Sequence, residues 1–242
     1  MVITSTKNDT YKLVKSLLTK KGRDSLGLYT VEGIKSVSDA IKSNAKIRFL
    51  VKAESFDEIR FDGEIVSVKN EIFEGLSDTK TPQGVLAVIE KNEKKEFKRS
   101  GKFVYLDNVR DPGNLGTIIR CADATGFSVL LSPNTAEIYS PKVVRSSMGS
   151  FFNTDIYENV TYEELKNSGL NIISGVLSDK TIDYKDADYS GDIAIVIGNE
   201  ANGISEEVLA FTNQFVKIPI LGKAESLNAG VSAAILMYEA IR

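Results

Sequence analysis

From residue 103 onward the chain alternates short apolar runs with segments of helical periodicity, and this alternation constrains the fold more than any other feature. The runs are Phe103 to Leu106, Val129 to Leu131, Asn171 to Val176, Ile193 to Ile197 and Phe215 to Ile218. Strands that are continuously apolar are covered on both faces, and strands separated by helices pair in parallel. The C-terminal part is therefore predicted to be an α/β domain, a parallel sheet with helices on either side. Its last helix, expected over Ala229 to Ile241, carries Val231, Ile235 and Tyr238 with small residues between them.

Upstream the pattern describes a second, smaller α/β unit. Helices are expected over Asp9 to Leu18 and Ile34 to Ile41, and strands at Ile47 to Val51, Glu64 to Val68 and Val85 to Ile89. Gly33, after Val31-Glu32, is placed to turn the chain into the second helix. Residues 91–102, KNEKKEFKRSGK, form the only sustained charged and apolar-poor stretch. The expected division is thus a domain over 1–92, a charged linker over 93–102 and a domain over 103–242. No run approaches the roughly 20 apolar residues of a membrane helix, and the start, MVITSTKNDTYK, lacks the apolar core of a signal peptide. A cytoplasmic protein without membrane contact is expected.

Composition narrows the chemistry. The 242 residues include one cysteine, Cys121, and no histidine, which removes disulfides, Cys/His dyads and histidine bases. Lacking histidine and any dense Asp cluster, the chain offers no home for a metal. Reactions are left to Arg, Lys, Asp, Glu, Ser, Tyr and the backbone, and Cys121, in an apolar helix, reads as a buried small residue. The net charge of −3 is unevenly spread. Residues 1–53 carry 11 Lys and Arg against 4 Asp and Glu, whereas residues 103–242 carry 10 against 18. A basic N-terminal end suits docking of a polyanion; a well-solvated surface accounts for the same charges.

Three clusters of polar and turn-forming residues follow apolar runs, where ligands of parallel sheets bind. In the first, DNVRDPGNLGTIIR (107–120), a helix is expected from near Leu115 with Asn114 able to cap it, Gly116 allowing close backbone approach and Arg120 nearly two turns beyond. A capped helix with a surface arginine is the plainer reading. In the second, IAIVIGNEANG (193–203), a buried strand opens into Gly198-Asn199-Glu200 and closes at Gly203, exposing backbone groups to a ligand or merely making a tight turn. In the third, a strand meets Pro219, a loop through Gly222, then Ser226-Leu227-Asn228 at the head of a helix, where either Ser226 or Asn228 can be the cap. The small residues of that helix allow something to pass very close to it. No G-x-G-x-x-G follows any strand.

Taken in order, these clusters resemble the three signature motifs of the SpoU (TrmH-like) family of RNA ribose 2′-O-methyltransferases, within the SPOUT superfamily. The matching positions are Asn114, Gly116 and Arg120; Gly198, Asn199, Glu200 and Gly203; and Pro219, Gly222, Ser226, Leu227 and Asn228. YSPKVVRSSMG (139–149) resembles the segment such proteins carry after their second strand, and the N-terminal part, with Tyr29 and Val31-Glu32-Gly33, resembles their L30e-like substrate-binding domain. One departure is Ala229-Gly230-Val231, where many members have Val-Ser-Val.

The resemblance implies a C-terminal SPOUT domain threaded as a deep trefoil knot, a homodimer, and S-adenosyl-L-methionine as methyl donor, leaving as S-adenosyl-L-homocysteine. It implies catalytic roles for Asn114, Arg120, Glu200, Ser226 and Asn228, cofactor contacts at Gly198, Asn199, Ile218, Gly222 and Leu227, and RNA contacts at Arg120, Lys142 and Arg145. Arg120 is read as gripping an RNA phosphate and the 2′-oxygen, since an arginine with a pKa above about 12 is a poor base in water. Glu200 is open to pairing with Arg120. Ribosomal RNA is the expected substrate; transfer RNA, and a non-catalytic RNA- or ribosome-binding protein, are the alternatives. A doubly wound α/β enzyme using a nucleotide cofactor is a third, without a phosphate loop to support it.

Overall fold

The computed structural model describes residues 2–93, 96–97, 99–178 and 181–242. Part of the expected linker, residues 94, 95 and 98, lies outside the described residues. The chain forms two compact units, one of Met1–Glu93 with Glu137–Asn153 and one of Lys94–Ala136 with Thr154–Arg242.

The first unit runs β1 (Val2–Ile3), α1 (Asp9–Ser16), α2 (Lys20–Leu26), β2 (Leu28–Glu32), α3 (Ile34–Lys42), β3 (Ile47–Ala53), β4 (Ile65–Val68), α4 (Asn70–Phe73) and β5 (Val85–Glu90). Its sheet has the order β1-β4-β3-β5-β2, with β5 antiparallel to both of its neighbours. Asn8 caps α1 through the N–H groups of Thr10 and Tyr11. Gly33 makes the expected turn into α3 at φ 96°, a conformation suited to glycine. Helix α2 and strand β2 were not anticipated as elements. KKGRDSL has no apolar stripe, and what seats α2 is a buried charge: Arg23 is 4% exposed, donates to Glu137 Oε1 and Oε2 at 2.8 and 2.6 Å, and donates to Leu17 O at 2.7 Å. A bidentate pair of this kind seats the helix by geometry that periodicity does not reveal.

The second unit holds β6 (Lys102–Leu106), α5 (Pro112–Thr125) and β7 (Ser128–Leu131). The chain then contributes α6 (Pro141–Ser146) to the first unit before returning as β8 (Ile156–Tyr157), α7 (Tyr162–Lys166), β9 (Asn171–Gly175), β10 (Ile182–Asp183), β11 (Ile193–Ile197), α8 (Glu206–Leu209), β12 (Gln214–Lys217) and α9 (Ala229–Glu239). Its seven strands, in the order β10-β12-β9-β11-β6-β7-β8, are parallel throughout, as the unbroken apolar runs require. Strand β11 is buried at every residue, between β6 and β9. On one face Phe103, Tyr105, Ile172, Ala194 and Val196 pack with Leu165 and Val208.

One helix start differs from expectation, and at another the structure selects between two expected caps. Helix α5 begins at Pro112, not near Leu115, and its cap is Asp111, whose Oδ1 accepts from Asn114 N–H at 2.8 Å. Proline at the first helical position lacks the N–H that would be orphaned there and presets φ, so the helix starts one turn early. That releases the Asn114 side chain from capping. Helix α9 is capped by Asn228, which accepts from Gly230 and Val231, and not by Ser226. The small face of α9 packs on α5: Gly230 is buried, and a Cβ there would lie 3.0 Å from Thr117 Cγ2. Leu236 and Met237 fill the core beneath α9, while Val231 and Tyr238 are exposed. Among the described residues, no helix is long and apolar enough to cross a membrane.

Candidate active site

The carboxyl ends of β9, β11 and β12 release three segments at one end of the parallel sheet, and a cavity of about 730 Å³ lies among them. That size suits a cofactor or drug-sized ligand. From the second cluster Gly198, Asn199, Glu200 and the chain to Ile204 line it; from the third, Ile218, Ile220 and Glu225 to Ala229. Gly175, Val176 and Leu177, at the end of β9, complete a wall that motif spacing did not single out, although their place after an apolar strand was a signal. Gly198 has to be glycine, because a Cβ would fall deep inside the van der Waals radii of the backbone of Gly203 and Ile204. Asn199 and Gly203 exchange backbone hydrogen bonds at 2.9 Å in both directions, so the chain at Gly198 runs hard against the loop's return.

The three clusters meet in one hydrogen-bonded line. Asn228 Oδ1 accepts from the N–H groups of Gly230 and Val231 at 2.9 and 3.3 Å. Asn228 Nδ2 donates to Asn114 Oδ1 at 2.8 Å, and Asn114 Nδ2 donates to Glu200 Oε1 at 2.8 Å. Glu200 also accepts from the N–H groups of Arg110 and Asp111, both at 3.3 Å. Burial opposes the charge on Glu200, but the bonds from Asn114 and from the backbone outweigh it and hold the carboxyl below the usual glutamate range. With helix N–H donors at one end and a carboxylate at the other, each amide can point only one way.

Other candidates stand apart from this line. Arg120 is exposed on α5, about 9 Å along the axis and roughly 120° around it from Asn114. Glu200 bonds to Asn114 and backbone, not to Arg120. Ser226 is exposed at the cavity wall, whereas Gly222 is outside that wall. Lys142 and Arg145 lie on α6 in the first unit; Arg145 Nη1 is 3.2 Å from Asp78 Oδ2, both side chains about half exposed. Cys121 is only partly buried, short of the buried position expected, and its partial burial raises the pKa of the thiol against the lowering effect of the Arg120 charge. Among the described residues no group of acidic, cysteine or histidine side chains is arranged to hold a metal ion.

Comparisons with known proteins give the family of the chain. The model of the SpoU rRNA Methylase family matches residues 101–238, and that of the MRM3-like substrate binding domain matches residues 8–87. The 23S rRNA (guanosine(2553)-2′-O)-methyltransferase RlmP of Bacillus subtilis is 35% identical over 247 residues, covering 98% of this chain and 97% of the relative. The crystal structure of AdoMet-bound rRNA methyltransferase from Sinorhizobium meliloti superposes with a TM-score of 0.87 at 30% identity, over 99% of this chain and 97% of the other. The SpoU methyltransferase AviRb from Streptomyces viridochromogenes, in complex with AdoMet, gives 0.83 at 26% identity over 97% of each chain. With a family model matching residues 101–238 and a relative 35% identical along almost its whole length, the chain belongs to the SpoU rRNA methylase family.

Proposed function

We propose that this protein transfers the methyl group of S-adenosylmethionine to a ribose 2′-hydroxyl of ribosomal RNA. The observation that carries the reading is the meeting of the three clusters in one hydrogen-bonded line beside the cavity. The cavity fits the cofactor's chemistry: apolar Ile197, Ile218 and Leu227 for an adenine, exposed backbone beside Gly198, and carboxylates of Glu200 and Glu225 for a cationic group. When bound, S-adenosylmethionine supplies an electrophilic methyl group with a good leaving group behind it. The chain's own part is to align the nucleophile, which is worth several kcal/mol by itself.

Asn114, held at both ends, offers a fixed amide to the ribose, and Glu200 keeps that amide oriented. Arg120 remains charged at any accessible pH and is read as gripping an RNA phosphate, with solvent or a substrate phosphate receiving the hydroxyl proton. Ser226, at the cavity wall, is read as hydrogen-bonding the ribose, and Leu227 and Asn199, which also line the cavity, as contacting cofactor. Lys142 and Arg145 are read as RNA contacts of the first unit. The reading includes the family's trefoil-knotted path for the segment from β12 into α9, a cytoplasmic site of action, and a homodimer. The exposed apolar side chains of Leu227, Val231, Tyr238 and Ile241 support the dimer.

The test is transfer of labelled methyl groups to unmodified 23S rRNA and to tRNA, followed by mapping of the modified ribose. Methylation of 23S rRNA supports the proposal. Methylation of tRNA alone replaces the substrate, and failure to bind S-adenosylmethionine leaves a non-catalytic RNA-binding protein.

A further inference from the structure

Loop residues Gly198 to Ile204 line the cavity, and both ends of the loop are fastened to one dipeptide at the carboxyl end of β6. At the start, Asn199 Nδ2 donates to Asn108 O at 2.8 Å. At the finish, Ser205 N–H donates to Asp107 Oδ2 at 2.7 Å. Asp107 is wholly buried, and its second oxygen accepts from Asn108 Nδ2 and from Tyr162 OH, each at 2.7 Å. Asn108 Nδ2 is shared with Tyr162 OH at 2.9 Å. Asn108 takes the left-handed conformation, φ 57°, held there by its N–H to Ser132 Oγ at 2.9 Å and by its carbonyl on Asn199.

This is an expensive arrangement for a core position. A buried carboxylate loses its hydration, and an apolar side chain of similar size would pack there at lower cost if packing were all that mattered. What an apolar side chain lacks is an acceptor that holds three donors from three segments at once: Asn108 after β6, Tyr162 of α7, and the backbone of Ser205 before α8. The same dipeptide leads directly into Arg110 and Asp111, whose N–H groups hold Glu200.

We propose that Asp107, acting through Asn108, Tyr162 and the Ser205 N–H, is a positioning clamp that sets the Gly198–Ile204 loop for S-adenosylmethionine while leaving RNA affinity to other parts of the chain. The inference rests on the proposed methyltransferase reading. Asp107→Asn replaces one acceptor oxygen by an NH2 group, so either Ser205 N–H or the Asn108–Tyr162 pair faces a donor. Tyr162→Phe removes one partner and keeps the ring.

The experiment is calorimetric titration of the full chain with S-adenosylmethionine, with filter binding of unmodified 23S rRNA alongside. Val208→Ala serves as control, since Val208 is fully buried in α8 near the clamp but is not part of it. Expected are a rise in cofactor Kd of about tenfold or more for Asp107→Asn and about threefold or more for Tyr162→Phe. RNA Kd should stay within about twofold, and Val208→Ala should lower Tm without moving cofactor Kd. If Asp107→Asn does not fold, Tyr162→Phe decides. Unchanged cofactor Kd in the folded clamp variants, or equal loss of cofactor and RNA affinity, overturns the clamp. Absence of wild-type cofactor binding overturns the methyltransferase reading and the clamp with it.

Discussion

Asn228 does two separable things, and two substitutions pull them apart. Its Oδ1 caps α9 and its Nδ2 holds Asn114. Asn228→Ala removes both: loss of a cap costs about 1 kcal/mol, and loss of the side-chain bond about 1 kcal/mol more. The sum lowers Tm by about 4–8 °C for a chain of this size. Asn228→Asp keeps the cap and adds a negative charge at the helix N-terminus, worth about 0.3–1 kcal/mol, so its stability should stay within about 1 kcal/mol of wild type. The aspartate has no donor for Asn114 Oδ1, however, and turning the Asn114 amide would set its oxygen against Glu200. The line therefore breaks in either rotamer. At saturating S-adenosylmethionine and RNA, methyl transfer by Asn228→Asp should fall at least about tenfold, equivalent to about 1.4 kcal/mol in the barrier. Thermal melting and labelled-methyl transfer measure the two effects independently. An Asn228→Asp protein that melts like wild type and keeps more than half its turnover would refute the idea that the oriented amides serve the reaction.

Other outcomes follow from the same geometry. Arg120→Ala should cut methyl transfer at least about a hundredfold and leave S-adenosylmethionine affinity within about twofold, because Arg120 lies outside the cavity wall; comparable loss of cofactor binding would contradict that placement. Glu200 has a lowered pKa, so its contribution is present above the unfolded glutamate value of about 4.3 and is lost as pH falls through the folded value. The stability gap between wild type and Glu200→Gln should hence be flat from pH 8 to about 5 and shrink below about 4, as acid-series melting would reveal. Arg23→Gln should destabilise the first unit by about 3 kcal/mol, because Glu137 is left 14% exposed beside only the more distant Lys91; denaturant unfolding followed by tyrosine fluorescence checks it.

The strand runs of the second unit were legible because all-apolar segments between helical ones have few other ways to be covered, and the parallel sheet follows from them. The N-terminal elements with apolar periodicity were legible for the same reason. Helix α2 was not, since Arg23 and Glu137 make their pair across 114 residues of sequence and leave no local signal. Nor does periodicity disclose that α6, flanked in sequence by strands of the second unit, packs within the first. In the site, the sequence by itself supplied the residue types and their order after the strands, and with them the family. Whether Asn114 was a cap or a free amide depended on which residue, Asp111 or Asn114, met the first turn of α5. That choice, the Asn228-to-Asn114-to-Glu200 direction, and the burial of Asp107 beneath the Gly198 loop were decided by the tertiary structure, because a hydrogen bond is fixed by the position of both partners and a sequence holds only their identities.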